Sequence, residues 1–230
     1  LIEREARGCD AVLVLEAARE NGAIVSARKG LAHFELIVQG RAAHAGVEPE
    51  HGRSAILELA HQVVALQNLN QQFPGVNVNV GVISGGTVSN VIAAEACAAI
   101  DVRATSQVSM EAVVEALHRR VASPYDSGTS IRLSGGIIRQ PMEKIPGTAR
   151  LVACYQQLAH ELGLTIADSK TGGVSDGNTT SALGIATLDG LGPIGGRDHS
   201  PDEYVLIPSI IPRMLLLGEL ICAICKPESL

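Results

Sequence analysis

Aromatic residues are the scarcest class in this sequence of 230 residues, which contains no Trp, two Phe and three Tyr. Proteins that bind single-stranded nucleic acid stack the bases on aromatic side chains, so this scarcity argues against that class. Basic residues are also few, because 18 Lys and Arg are set against 24 Asp and Glu, for a formal net charge of −6. Acidic chains are poor partners for a phosphate backbone. The composition therefore predicts no nucleic-acid partner.

Long apolar runs are missing as well. No uninterrupted run reaches the roughly 18 apolar residues that indicate a membrane-spanning helix, so we expect no membrane partner. The chain is nevertheless 46% hydrophobic and 18% charged. At this length, such a composition predicts a globular protein with one or two domains and a sizeable core.

Cysteine is sparse and odd in number, and the five residues are Cys9, Cys97, Cys154, Cys222 and Cys225. A secreted disulfide framework favours a denser, even set, so the pattern predicts a reducing compartment, and we expect a cytoplasmic protein. Cys222 and Cys225 form a C-x-x-C pair at the end of the apolar run 214–224, which predicts a buried helix. Because no second pair of ligands accompanies them, we interpret both as core thiols rather than as a redox or metal site.

The chain begins at Leu1 instead of Met, and residues 1–8 predict the charged end of a helix that is already under way. We therefore expect a piece of a longer protein, in which no targeting segment can be recognised.

The middle of the chain predicts a separate unit with the element order βαββαβ. The alternating strand patterns and the helical apolar patterns fall at strands 31–39, 76–83, 94–104 and 130–138 and at helices 54–69 and 109–121. This order is the split βαβ arrangement of ferredoxin-like domains.

The segments on either side of this unit have an α/β character. Residues 9–15 predict a buried strand that ends at Glu16. After the insertion, predicted helices alternate with predicted strands, as in a parallel α/β layer, at 148–162, 164–167, 185–188 and 208–224. We predict an α/β fold in which residues 1–28 and 141–230 form one domain and residues 29–140 form a ferredoxin-like domain inserted into it.

Two residues of the α/β segments are candidate metal ligands. His199 lies in a glycine-rich loop after a predicted strand, where the crevices of open α/β sheets bind ligands, and acidic neighbours could orient its imidazole. Glu16 directly follows an apolar run, where a carboxylate is costly to bury unless it is paired or binds a metal. The alternatives are a solvated loop histidine and an exposed turn glutamate.

Three residues of the insertion are candidates for substrate contacts. His44 lies in the segment G-R-A-A-H-A-G, whose small residues leave space around the imidazole, and Asn90 follows the loop G-G-T-V-S. Arg103 lies on a predicted strand and offers a bidentate fork for a carboxylate. The alternatives are a turn histidine without a role and an ordinary surface pair between Arg103 and Asp101.

The motifs occur together and in a fixed order: G-R-A-A-H-A-G, G-G-T-V-S-N-V-I, D-V-R, T-G-G-V-S-D-G-N and G-G-R-D-H-S-P-D-E-Y. As a series they resemble the dinuclear zinc metallopeptidases of the glutamate carboxypeptidase and aminoacylase type, over nearly the whole chain. That resemblance implies a catalytic α/β domain with two zinc ions, for which cobalt or manganese can substitute, and a ferredoxin-like lid that usually forms a homodimer.

The resemblance also implies a role for each candidate. Glu16 and His199 match one ligand of each zinc, and His44 matches the lid histidine that reaches the partner's active site and binds the oxygen of the scissile carbonyl. Asn90 and Arg103 match lid residues that hold the substrate carboxylate. Arg139, at the return from the lid, matches an arginine that also faces the substrate.

One departure from the family is large. The family's H-x-D motif, bridging aspartate and Glu-Glu pair, which includes the general base, precede the strand that leads to Glu16 and are not found in this sequence. We therefore expect the C-terminal part of a zinc-dependent amidohydrolase or carboxypeptidase, inactive by itself, that acts on a small peptide or an N-acyl amino acid. The alternatives are an N-acyl amino acid deacylase and a non-catalytic dimerisation fragment.

Overall fold

The computed structural model describes residues 1–225, so residues 226–230 at the end of the predicted segment 141–230 lie outside the described residues. The chain divides into two compact units. Unit 1 consists of Leu1–Lys29 and Gln140–Leu230, and unit 2 consists of Gly30–Arg139.

The α-helices of the described residues are α1 (Ile2–Ala6), α2 (Ala55–Gln67), α3 (Leu69–Gln72), α4 (Gln107–Val121), α5 (Pro146–Glu161), α6 (Asp176–Ser181) and α7 (Ile210–Ile224). The strands are β1 (Ala11–Leu13), β2 (Ile24–Arg28), β3 (Gly30–Gln39), β4 (Asn77–Gly85), β5 (Glu95–Ala104), β6 (Ser130–Arg139), β7 (Asp168–Thr171), β8 (Ala186–Leu188), β9 (Gly195–Gly196) and β10 (Tyr204–Val205).

Unit 2 is a four-stranded antiparallel sheet with the strand order β4-β5-β3-β6. Its long helices begin at serine caps: Ser54 Oγ accepts the Leu57 N–H at 3.1 Å, and Ser106 Oγ accepts the Ser109 N–H at 3.1 Å. Alternate side chains of the strands enter one hydrophobic core with α2 and α4, and Phe34 is among the largest fully buried residues there. The strands and helices follow the predicted βαββαβ order.

Glu58 is a buried carboxylate of α2 that holds the loop before β6. Its oxygens accept the N–H groups of Tyr125 at 3.1 Å and Asp126 at 2.8 Å, the Thr129 hydroxyl at 3.2 Å and the Gln62 amide at 2.7 Å. Burial by itself would raise the pKa of Glu58, but these hydrogen bonds outweigh it and hold the pKa below its usual value. The loop is therefore tied to the helix by a charged acceptor.

Unit 1 contains short strands that pair in twos. β1 pairs with β8 and β2 pairs with β7, both in parallel, and the glycine strand β9 pairs with β10 in antiparallel. A second core gathers apolar residues of α5, α7 and these strands, with Tyr155 fully buried.

Two sequence-based predictions of strands in unit 1 were inaccurate. β2 is absent from the predicted elements, and the strand predicted at 164–167 forms instead at Asp168–Thr171. Hydrogen bonds with β2 determine where the polar strand β7 forms. The Ile24 N–H donates to the Ala167 carbonyl, and the parallel pairing of β2 with β7 continues from there.

The helix predicted at 208–224 forms as α7, but the prediction that its segment 214–224 is buried is wrong. Only Arg213, Leu216 and Leu220 are buried in α7, since residues spaced by three and four form one stripe along a helix. Cys222 and Cys225 lie outside that stripe and are exposed, so their interpretation as core thiols is wrong as well.

Within the described residues, Ile207–Ile224 is the one helical segment long and apolar enough to cross a membrane, judged by length and composition alone. The charged residues Arg213 and Glu219 interrupt it. Leu216 and Leu220 pack in the core of unit 1, and core helices pass the same test. The absence of a membrane partner stays a prediction.

Candidate functional site

His44 and Asn90 lie on two loops of unit 2 that are hydrogen-bonded to each other. The Ala45 N–H donates to the Asn90 carbonyl at 2.9 Å, and the Ile92 N–H donates to the Ala43 carbonyl at 2.9 Å. Both candidates are exposed. The structure thus places the predicted histidine and asparagine side by side, beyond the end of β3 and before the start of β5.

The first loop can follow this path only because Gly40 stands at its start. A Cβ atom at Gly40 would collide with the carbonyl oxygen of Arg53. Backbone hydrogen bonds of 2.9 Å join Arg41 and Arg53 in both directions. A cavity of about 430 Å³ lies beside the two loops, and Ala42, Thr87 and Val91 are among its lining residues.

The tautomer of His44 follows from its contact with the backbone. Its Nδ1 accepts the Gly46 N–H at 3.1 Å, and an acceptor nitrogen carries no proton. In the neutral imidazole the proton is then on Nε2. His44 therefore presents an N–H donor from an exposed loop.

Arg103 and Arg139 lie together in a different part of unit 2. Both pair with Leu31, Arg103 from β5 and Arg139 from β6, so the three side chains stand in one row on one face of the sheet. A shift of register between Leu31 and Ala32 turns Arg139 onto that face, as bulges commonly do.

The two arginines differ in their partners. Arg103 forms a bidentate pair with Asp101, with Nε–Oδ1 at 2.8 Å and Nη2–Oδ2 at 3.1 Å. Arg139 is exposed, and its Nη1 donates to the Ile138 carbonyl at 3.2 Å. The alternative of a pair between Arg103 and Asp101 is thus present in the structure, whereas the Arg139 fork contacts a single backbone carbonyl in the described residues.

The two pairs of lid candidates occupy opposite ends of the sheet. The Arg103 and Arg139 row crosses β3 at Leu31, whereas the His44 loop begins after Gln39. A rise of about 3.4 Å per residue from Leu31 to Gln39 corresponds to roughly 27 Å. A small substrate cannot contact both pairs of the same chain. In particular, Asn90 and Arg103 of one chain cannot hold the same carboxylate.

Unit 1 holds the two predicted metal ligands on neighbouring segments. The Gly192 N–H donates to the Glu16 carbonyl at 2.9 Å, and the Ala18 N–H donates to the Pro193 carbonyl at 3.0 Å. Gly192 is required there, since an added Cβ would lie 2.8 Å from the Glu16 oxygen. The segment of Glu16 therefore runs along the start of the loop that leads to His199.

His199 is exposed and has a left-handed backbone, with φ of 65°. Such a conformation is uncommon outside glycine and is held by surrounding contacts. The His199 N–H donates to Glu203 Oε2 at 3.1 Å, which helps to fix the turn. An ion pair of 3.9 Å between Arg19 and Asp198 spans the two segments.

The donor set fits only part of a zinc site. Glu16 and His199 supply a carboxylate oxygen and an imidazole nitrogen, both of which are zinc ligands. Across residues 1–225, however, no three His, Cys, Asp or Glu side chains come together as a metal site would require. The described residues do not make a complete zinc centre by themselves.

A buried ion pair that no sequence motif indicated supports the loop T-G-G-V-S-D-G-N. Asp189 is fully buried and binds Arg28 Nε at 2.7 Å, and it accepts the Ser175 hydroxyl at 2.5 Å. Ser175 also caps α6 in a capping box with Asn178. The loop thus keeps its shape through charge-assisted hydrogen bonds.

Comparison with known proteins matches residues 26–129 to the peptidase dimerisation domain. Residues 26–129 are therefore a peptidase dimerisation domain, and the chain is similar to metallopeptidases that carry this domain. Carboxypeptidase G2 of Pseudomonas sp. (strain RS-16) is 28% identical over 227 residues, which are 96% of this chain and 54% of that protein. The succinyl-diaminopimelate desuccinylase of Paracidovorax citrulli is 30% identical over 209 residues, which are 85% of this chain and 51% of that protein.

A solved structure shows the same fold. The aminopeptidase PepT of Bacillus cereus superposes with a TM-score of 0.83 at 24% sequence identity, over 97% of this chain and 59% of that one. The predicted α/β fold with a ferredoxin-like lid and the predicted resemblance to these metallopeptidases are therefore confirmed. The chain spans about half the length of the curated relatives just described.

Proposed function

We propose that this chain supplies part of the active site of a metal-dependent hydrolase that cleaves an amide bond next to a C-terminal or N-acylated amino acid. The similarity to a carboxypeptidase and to a desuccinylase supports amide hydrolysis as the reaction class. A carboxypeptidase acting on small peptides is our first candidate. A deacylase of N-acyl amino acids is the second, favoured by the similarity to the desuccinylase.

Zinc is the metal we propose, with two ions in the complete site and cobalt or manganese as substitutes. Glu16 would supply one ligand and His199 another, and the remaining ligands would come from outside these 230 residues. In hydrolytic sites bound zinc polarises a carbonyl and lowers the pKa of a bound water.

His44 would donate its Nε2–H to the oxygen of the scissile carbonyl. The Gly46 N–H at Nδ1 favours the tautomer that such a donor needs. A hydrogen bond aimed at that oxygen strengthens as negative charge develops on it, which accelerates the reaction. Asn90, on the neighbouring loop, would orient the same end of the substrate.

Arg139 would bind the substrate carboxylate through its bidentate fork. Its place in the row next to Leu31 puts it at the end of the sheet where the chain enters and leaves unit 2. Arg103 would support it from the same row, with its own guanidinium held by Asp101.

The observation that carries this proposal is the separation of the two lid pairs by roughly 27 Å along β3. Because one substrate cannot contact both, we propose that Arg139 serves the site of its own chain and that His44 serves the site of a second copy. This arrangement requires a homodimer.

The surface for that homodimer would be the apolar side of α2 together with the edge strand β4. Ile56, Leu57 and Val64 of α2 are exposed, as are Val82 and Ile83 of β4. β4 is at an edge of its sheet, where unpaired backbone groups can pair with another chain. The match to a dimerisation domain supports a second copy as the occupant.

The roles of the two histidines can be separated in the natural protein that contains these residues. We expect His199→Ala to lose one metal ion and most activity, and His44→Ala to keep its metal content while kcat falls about 10²–10³-fold. The measurements are metal content after dialysis and hydrolysis of an acyl-glutamate. His51→Ala, an exposed histidine further along the same connection between β3 and α2, is the control and should retain both.

Two results would contradict this assignment. Metal loss in the His44→Ala variant would make His44 a ligand. A natural protein that holds no metal and hydrolyses no amide would favour a non-catalytic dimerisation role.

A further inference from the structure

A buried arginine of α7 has no acidic partner among the described residues. Arg213 is 5% exposed, and no carboxylate of residues 1–225 forms an ion pair with it. Its Nε donates to the Gly192 carbonyl at 3.0 Å, one Nη donates to Gly22 at 3.2 Å and the other to Gly190. These contacts use three of the five N–H groups of the guanidinium.

The surroundings of Arg213 do not neutralise its charge. Its guanidinium carbon lies 5.7 Å from the centre of the Tyr155 ring, and Tyr155 is fully buried. Burial lowers the pKa of Arg213, and the one charge interaction that opposes this effect comes from Tyr155. An unpaired buried cation is costly, so an anion that reaches it gains a strong electrostatic contact.

Arg213 also lines a cavity of about 400 Å³ within unit 1. This volume is in the range of small-molecule sites, which are typically about 300–1,000 Å³ and mostly apolar with few polar groups. The apolar residues that line it are Leu164, Ile166, Ile194, Leu206, Pro208 and Pro212. Asn21, Thr165 and Ser209 are the other polar side chains of the lining, and none of them is charged. A single cationic group in a mostly apolar cavity suits a ligand with one anionic end and an apolar body.

We infer that this cavity binds a small monocarboxylate with an apolar body, its carboxylate against Arg213 and its hydrocarbon part among the apolar lining residues. A planar guanidinium matches a carboxylate better than a point charge does. The site is made of residues other than Glu16, His199 and the lid candidates, so it is separate from the proposed reaction and is tested by binding alone.

The probe is octanoate, compared with octan-1-ol, which has the same chain without the charge. Titration calorimetry on the natural protein should show saturable binding of one octanoate per chain, about tenfold or more tighter than octan-1-ol. Arg213→Met should remove that preference, and Arg213→Lys should retain part of it.

A second variant keeps Arg213 and the core intact. Thr165 is exposed and lines the cavity, so Thr165→Trp should fill it and abolish binding of both probes. Leu162→Trp, exposed and not among the lining residues, is the matched control and should bind octanoate as the wild type does.

Three results would overturn the inference. Equal affinity for octanoate and octan-1-ol would leave Arg213 without a role. Unchanged binding in Thr165→Trp would place the ligand elsewhere. Failure of the folded wild type to bind octanoate at millimolar concentration would mean that no carboxylate site exists.

Discussion

The two units of this chain are built in opposite ways. The strands β3, β4, β5 and β6 of unit 2 have nine or ten residues each and form one continuous antiparallel ladder over a core of apolar side chains. In unit 1 the strands have two to five residues and pair in twos.

Buried charge marks the same contrast. Arg28, Asp189 and Arg213 are buried in unit 1, where Arg28 and Asp189 bind each other and Arg213 binds the carbonyls of loop glycines. In unit 2 the buried charge is Glu58, which fixes one loop. The lid is therefore stabilised mainly by packing, and the loops around the predicted metal ligands depend on a few polar contacts.

The strongest test of this contrast is Asp189→Ala. It leaves the Arg28 guanidinium buried without its partner, which typically costs about 3–5 kcal/mol. We expect the free energy of unfolding of unit 1 to fall by that amount while hydrogen exchange of unit 2 is unchanged. Glu115→Ala, which removes an exposed pair with Arg119, should cost about 0–1 kcal/mol. Equal loss of protection in both units would show that the units unfold together.

The reciprocal change is Leu36→Ala in β3. Leu36 is fully buried in the core of unit 2, and such truncations cost about 2–5 kcal/mol. Amide exchange in β3 to β6 should accelerate while that of α5 and β8 stays as it was. Val108→Ala, at an exposed position of α4, should change stability by less than about 0.5 kcal/mol.

A smaller effect, and a dependence on pH, should follow from Glu58→Gln. The amide cannot accept from every N–H that the carboxylate binds, so we expect a loss of about 1–3 kcal/mol in unit 2. The pKa of Glu58 is lowered on folding, so its contribution is present above the unfolded pKa of about 4.3 and is lost as pH falls through the lowered folded value. The free energy of unfolding, measured with urea between pH 3 and pH 7, should depend more steeply on pH in the wild type than in the variant. Parallel curves would contradict the role of the ionised carboxylate.

The sequence predicted unit 2 well because long alternating strands and capped helices leave a local pattern. Ser54 and its helix are an example, since the cap and the apolar spacing agree. β2 and β7 were missed or misplaced because their pairing joins segments that are far apart in sequence. Local pattern says little about such contacts.

The candidate site shows the same division. Each candidate residue could be named from a sequence motif, but the residues that lie next to it in the structure could not. The bulge that puts Arg139 beside Leu31 and the pairing of the His44 and Asn90 loops depend on register. Arg213 and Asp189 left no motif at all, because Arg213 binds backbone carbonyls and Asp189 binds Arg28, all of them distant in sequence.

The central claim is that the two ends of the lid serve different active sites of a dimer. Its most direct test mixes a His44→Ala variant of the natural protein with a His199→Ala variant after dissociation and reassociation. If His44 acts on the partner, half of the random dimers carry one site with every residue intact, and activity should recover to about one quarter of wild type.

A matched mixture tests the opposite end of the sheet. If Arg139 serves its own chain, Arg139→Ala mixed with His199→Ala gives no intact site and should show no recovery. The account predicts recovery in the first mixture and none in the second. No recovery in the first mixture, with mixed dimers confirmed by native mass spectrometry, would contradict it.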